Sequence, residues 1–315
     1  MGPGYDHVFI IADIEGSSGC TDYNACLEMT RDIAAVTDAL LASGVRRVTV
    51  KDFHRTGYNI IREMLDPRVR LVSGYIRGPV PGIGHPGPPG ALMMIGMHAP
   101  SGSGGFLAHT LTSRIARLTL NGIPVSEAQL FSASLASFGL RPVFFSGCPV
   151  ACAQAGTAID RLEVFPVVKQ KNGTVPNLKS FRIRLARQAV RSLANTKSVP
   201  YTMDGPFEVE LVWRDGAGEA SVLAARWGLD RRGDTLLFRV ADFDGLYRTL
   251  IRVCYMTPLV ERILPAGLPL YNLAGRWGLW VARRRLKKRG LYPRACTGFG
   301  RETGYGAKGT GPVRA

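Results

Sequence analysis

Val8-Phe9-Ile10-Ile11-Ala12-Asp13-Ile14-Glu15-Gly16-Ser17-Ser18-Gly19 is the stretch on which the reading of this chain turns. Five apolar residues run without a break into two carboxylates and then into a Gly/Ser turn. A continuous apolar run bounded by glycine suits a strand buried on both faces, as in a parallel sheet. In an open α/β sheet, ligands collect beyond the carboxyl ends of such strands. Asp13 and Glu15, on alternate residues at a strand end, therefore stand where chemistry is done. The plainer alternative is a strand end with solvated acids, and D-x-E is too short a pattern to choose between the two.

The surrounding chain repeats the alternation of strand and helix. Residues 21–41 carry apolar residues at near-helical spacing, and Gly44 stops them. Residues 45–50 are β-branched and form a second strand leading to Asp52 and His54. A short helix is expected at 59–65, halted before Pro67, and a third strand at 69–72. Residues 91–97 form an apolar strand that ends at His98, followed by a Gly/Ser loop and His109. Residues 117–120 and 123–125 flank Asn121-Gly122, a strong hairpin signal. Ser126 caps a helix running from Glu127 to about residue 138. A further strand at 143–145 and a helix at 148–158 follow. Within the Pro/Gly loop at 78–90, Gly82-x-Gly84-x-x-Gly87 matches the dinucleotide pattern in form only. Pro86, Pro88 and Pro89 forbid the helix that this pattern needs.

Past residue 169 the expected elements are a basic amphipathic helix (178–193), strands at 207–213 and 235–240, and a long helix at 244–264. The fold class is thus α/β: a layered, mainly parallel sheet with flanking helices, plus a smaller α+β C-terminal lobe. The division expected is 1–165, an α/β metal-binding catalytic domain; 166–270, the smaller α+β lobe; and 271–315, a basic, partly disordered tail.

Bulk composition narrows the class. The 315 residues are 46% apolar and 20% charged, as in a globular protein with a large core. The N-terminal apolar run is short, lacks a basic leader and is interrupted by Asp13, so no signal peptide is read. No run of about 18 apolar residues suggests a membrane span. A cytoplasmic location is expected. Six scattered cysteines do not form a disulfide framework. The net charge of +16 is concentrated at the end, since residues 272–315 hold 11 Lys/Arg and one acid. That cluster can attract anions. Nucleic acid is disfavoured as a partner, because no base-reading or aromatic-interleaved motif accompanies it.

Six metal-capable residues fall at strand ends or beside glycine loops: Asp13, Glu15, His54, His98, His109 and Glu127. Singly, each histidine fits a packing role; together they form a constellation. Mixed His/carboxylate ligation without thiolates suits zinc, with manganese or cobalt as alternatives. Five or six ligands exceed one tetrahedral zinc and suit a two-metal site, where a carboxylate such as Asp13 bridges ions about 3.5–4 Å apart. Such a pair polarises a carbonyl and lowers the pKa of water toward about 7, which is hydrolytic chemistry.

These residues carry a family resemblance. Asp13-Ile14-Glu15-Gly16 with Ser18-Gly19, Val50-Lys51-Asp52-Phe53-His54, Gly96-Met97-His98-Ala99, His109-Thr110, Asn121-Gly122-x-Pro-Val-Ser-Glu127 and Val167-Val168-Lys169-Gln170 occur in order over roughly residues 5–265. The set resembles the zinc-dependent D-aminopeptidases of the dipeptide-transport-operon type, a self-compartmentalising metallopeptidase family. The resemblance implies Asp13 as bridging ligand, with Glu15, His54, His98 and Glu127 completing the shells of two zinc ions. It implies His109 as the catalytic histidine, either nucleophile or general base; general base is preferred, since a metal already makes water an adequate nucleophile. It also implies a short peptide or amide as substrate and a homo-oligomeric ring. Asp52 is read either as a support to the site or as a solvated acid, and Lys169 lies near it without an assigned role. The segment after Gly19 is shorter than is usual in the family, and the basic tail is extra.

The reading favoured is an aminopeptidase that releases an N-terminal residue, a D-amino acid by resemblance. The alternatives are a related metallo-amidohydrolase acting on another amide in a biosynthetic or cell-wall pathway, and a non-catalytic binding protein that uses its tail.

Overall fold

The computed structural model describes residues 4–19, 24–170 and 173–292. In chain order the elements begin with β1 (His7–Ala12), α1 (Asn24–Ala42), β2 (Arg47–Asp52), a 3-10 turn (Arg62–Met64), β3 (Arg70–Val72) and β4 (Gly90–Met97). There follow β5 (Ile115–Leu120), β6 (Ile123–Pro124), α2 (Glu127–Ala136), β7 (Leu140–Gly147), α3 (Pro149–Ala158) and β8 (Glu163–Pro166). The rest comprises α4 (Leu178–Ser192), β9 (Phe207–Trp213), α5 (Ala217–Trp227), β10 (Asp230–Arg232), β11 (Thr235–Val240), α6 (Phe243–Tyr255) and α7 (Pro258–Lys288).

β1 is buried along its whole length, which is why its sequence shows no polar alternation. Its side chains still alternate between two cores. Val8, Ile10 and Ala12 join α1 and α4, whereas Phe9 and Ile11 join α2, α3 and the second sheet. β1 pairs in parallel with β2 on one side and β4 on the other. The six-stranded sheet runs β3-β2-β1-β4-β7-β8, parallel throughout. From β1 the chain winds outward through β2 and β3, then returns to β4 and winds the other way. The loops leaving β1 and β4 therefore diverge at the switch point, where such sheets bind ligands.

The second sheet runs β10-β11-β9-β5-β6 and is antiparallel. Asn121 and Gly122 turn the β5–β6 hairpin with φ of 52° and 79°, the left-handed pair that a tight hairpin requires. β5 pairs with β9 from Ile115 opposite Trp213 to Leu120 opposite Val209, with a bulge between Ile115 and Arg117. Thus a hairpin from before residue 166 belongs to the second sheet, while α4, from after it, packs with α1 on the first. The sheets interleave along the chain and do not divide at residue 165. Strand pairing across some ninety residues is set by matching buried faces, which a linear reading does not register.

The C-terminal expectation needs correction. The single helix foreseen at 244–264 is two, because Thr257 caps a new helix by accepting from the Val260 N–H at 3.1 Å, with Pro258 in its first turn. α7 then continues through Pro265 and Pro269 to Lys288, so residues 271–288 are helix and not tail. Its inner face is pinned. Leu286 packs on Leu27 and Ile61, Asn272 bonds the main chain of Tyr75, and Arg283 pairs with Glu63 at 2.7 Å. Tertiary packing here outweighs the proline penalty. The rest of the foreseen tail, 293–315, and the short link at 20–23 lie outside the described residues. No helix among the described residues is long and apolar enough to cross a membrane.

Candidate metal centre

Asp13 and Glu15 follow β1, His54 stands two residues past β2, and His98 directly follows β4. These are the carboxyl ends of three adjacent strands. His109 comes from the loop between β4 and β5, and Glu127 is the first residue of α2. All six line one cavity of about 1180 Å³, so the structure brings every expected site residue together.

Two glycines make the convergence possible. The Gly16 N–H bonds Gly96 O at 2.8 Å, joining the loops after β1 and β4. A Cβ on Gly16 would sit 1.8 Å from Met97 O, and one on Gly96 would sit 2.1 Å from Asp13 O. Gly96 also has φ +78°, where other residues are strained.

The side chains face one another at ligand distances. His54 Nδ1 lies 2.9 Å from Asp13 Oδ1. His98 Nε2 lies 3.3 Å from Glu127 Oε2 and 3.7 Å from both Asp13 Oδ2 and Glu15 Oε2. His109 stacks on His98 with ring centroids 3.8 Å apart, and its Nδ1 is 3.5 Å from Glu15 Oε2. Main-chain groups orient these rings. His98 Nδ1 bonds Ala99 O at 3.1 Å, which leaves its Nε2 facing the carboxylates, and His109 Nδ1 bonds Leu107 O at 2.7 Å. Glu127 is fixed by the Leu111 N–H, which donates to Oε1 at 2.7 Å.

The electrostatics are those of a crowded donor set. Burial works to lower the His98 pKa, but the carboxylates of Glu127 and Asp13 overcome it and raise it to about 10. Burial and the neighbouring Asp13 charge push Glu15 up. For Asp13 burial is outweighed by the hydrogen bond with His54 and the charge of His98, so its pKa falls. Asp13 Oδ2 and Glu15 Oε2 are buried without a hydrogen-bond partner. Buried carboxylate oxygens left this way are costly unless a cation is their partner. Ligand atoms of Glu15, His98 and His109, and again of Asp13, Glu15 and His54, lie within 4.8 Å of one another. These nitrogen and oxygen donors fit zinc, manganese or cobalt.

Supporting residues are only partly legible in sequence. Asp52 is fully buried rather than solvated. It accepts from the N–H groups of Asn59 and Ile60, and Asn59 in turn donates to His54 O at 2.7 Å. Lys169 donates to Glu15 O at 2.8 Å and Gly19 O at 2.9 Å, tying down the loop after β1. Sequence reading missed Asp32, which looks like a solvated helix residue. Asp32 is buried, accepts from Ser18 N and Oγ at 2.8 Å each, and pairs with Arg182 at 2.9 Å. It also missed the α7 wall of the cavity, formed by Val260, Ile263, Leu264, Leu268 and Tyr271.

The profile of the family described as D-aminopeptidase matches residues 7–251. The chain belongs to the D-aminopeptidase family. The enzyme class expected from sequence, a metallo-aminopeptidase, agrees with that membership. Among solved structures, this family member resembles the Zn-dependent D-aminopeptidase DppA from Bacillus subtilis, a self-compartmentalizing protease. The TM-score is 0.70 at 19% identity, over 78% of this chain and 96% of that one. At that identity the likeness establishes a shared fold. No curated protein sequence matches the chain. The family profile ends before α7 begins, so the matched stretch contains the six residues and α7 lies outside it.

Proposed function

We propose that the chain is a dinuclear metal-dependent aminopeptidase that removes the N-terminal residue from short peptides or amides. The observation that carries this reading is the pair of buried, unpartnered carboxylate oxygens within two overlapping donor trios. Asp13, Glu15, His54, His98 and Glu127 would hold two ions, zinc by analogy with DppA, with manganese or cobalt as alternatives. Asp13 suits the bridge, because its two oxygens face different histidines. Ions held there would supply Lewis acidity to the substrate carbonyl and to the attacking water.

The chain's own groups do the rest. His109, stacked on His98 and held by Leu107 O, would act as general base, taking the proton from water and returning it to the leaving amine. Glu127 and Glu15 keep His98 oriented. The cavity is large enough for a short peptide. By analogy with DppA the released residue is a D-amino acid and the assembly a closed homo-oligomer. A second reading, a related amidase with a different substrate, is favoured by one observation: α7, outside the family profile, forms part of the cavity wall.

A panel of paired D- and L-alaninamide, glycinamide and short peptides tests the reading. We expect hydrolysis of the D-amide, reduced at least about 100-fold by His109→Ala, as for removal of a general base. Hydrolysis of none of the panel by the zinc-loaded protein would favour the amidase reading. Activity unchanged in His109→Ala would remove that residue's role.

A further inference from the structure

The outward face of α7 is explained by nothing in the metal centre. Leu259, Leu270, Leu273, Trp277 and Trp280 are each between 51% and 69% exposed, and Ile263, at the edge of the cavity wall, is 50% exposed beside them. At helical periodicity they form one stripe about 100° wide. The stripe cannot turn inward, because Leu268, Asn272, Gly275 and Leu286 hold the opposite face against the body. Exposed apolar surface of this extent marks an interaction site. Toward its C-terminal end the stripe becomes basic. Residues 276–289 contain seven Lys/Arg and no acid, with Arg284 and Lys288 continuing the line of the stripe. Arg284 lies over the Trp280 ring at 5.2 Å.

We propose that α7 is an interfacial helix that docks this protein onto an anionic lipid bilayer. Its apolar stripe enters the headgroup–acyl boundary, and its basic end meets lipid phosphates. The charge pattern selects this occupant. A bilayer offers an apolar layer and negative charge side by side, and tryptophan favours that boundary. A second copy seated on the stripe would add a second basic cluster and no acids to neutralise the first. The helix is not apolar enough to span a membrane, which leaves it lying on the surface.

The test is co-sedimentation of the full-length protein with phosphatidylcholine vesicles, with or without phosphatidylglycerol. Retention is expected on the anionic vesicles only, weakening in high salt. Removing two basic residues by Arg284→Gln with Lys288→Gln should weaken retention about 30-fold, at about 1 kcal/mol per residue. Trp277→Ser with Trp280→Ser should abolish it while leaving thermal unfolding unchanged, since both residues are exposed. Three results overturn the proposal: no retention on anionic vesicles, equal retention on neutral ones, or retention undiminished in the Trp double variant. If that variant instead lowers the mass of the assembly in light scattering without affecting vesicle retention, the stripe is a subunit contact and the proposal fails.

Discussion

Gly96 and Arg182 support the loop that carries Asp13 and Glu15, and Lys51 is buried in the strand that leads to His54. Gly96 combines a left-handed backbone with a neighbouring carbonyl where its Cβ would be. Gly96→Ala should cost at least about 2 kcal/mol and displace Asp13, read as a lower urea midpoint together with reduced metal retention. Arg182 neutralises buried Asp32 beneath Ser18. Arg182→Ala should destabilise by about 3–5 kcal/mol, because it strands a buried carboxylate; a loss under 1 kcal/mol would show the pair to be well hydrated. Lys51 is almost wholly buried and donates to Gly74 O, and burial pulls its pKa down to about 8 despite the nearby Asp52 charge. Between that value and the ordinary one near 10.4, the unfolded chain holds a proton that the folded chain has released, so stability rises with pH. Relative to Lys51→Met, the wild type should gain on the order of 3 kcal/mol from pH 8 to pH 10.5, and a constant gap would refute the assignment.

At the scale of elements, the divergence of the β1 and β4 loops gathers the ligands, and α7, outside the stretch that the family profile matches, closes the cavity. Asn272 links α7 to the main chain of Tyr75 through two hydrogen bonds. Asn272→Ala should loosen that wall, costing about 1–2 kcal/mol and raising KM more than it lowers kcat, because no ligand or proton-transfer group moves. Comparable losses in kcat would indicate that α7 also orders the metal residues. The inner parallel strands were legible in sequence because burial on both faces leaves unbroken apolar runs, as in β1 and β4, whereas the half-buried edge strand β8 was not. α5 was not, since Gly216 and Gly218 mask its start. Nor was the length of α7, since Pro265 and Pro269 signal an end that inner-face packing overrides.

For the whole molecule, two sheets interleaved along the chain place six residues, drawn from positions 13 to 127, around one cavity. Each of the six stands at a strand end, a helix start or a glycine-rich loop, which made them visible as a set before any contact was known. The residues that hold them, Asp32, Asn59 and Arg182, carry no such mark, because their roles arise only from burial and long-range pairing. The central claim is that this constellation holds two metal ions, with Asp13 between them. Metal content per chain, by inductively coupled plasma mass spectrometry after zinc reconstitution and desalting, tests it most directly for wild type and Asp13→Asn. Two zinc ions per chain in the wild type and at most one in the variant are expected. A wild type that retains none, or a variant that still retains two, would contradict it.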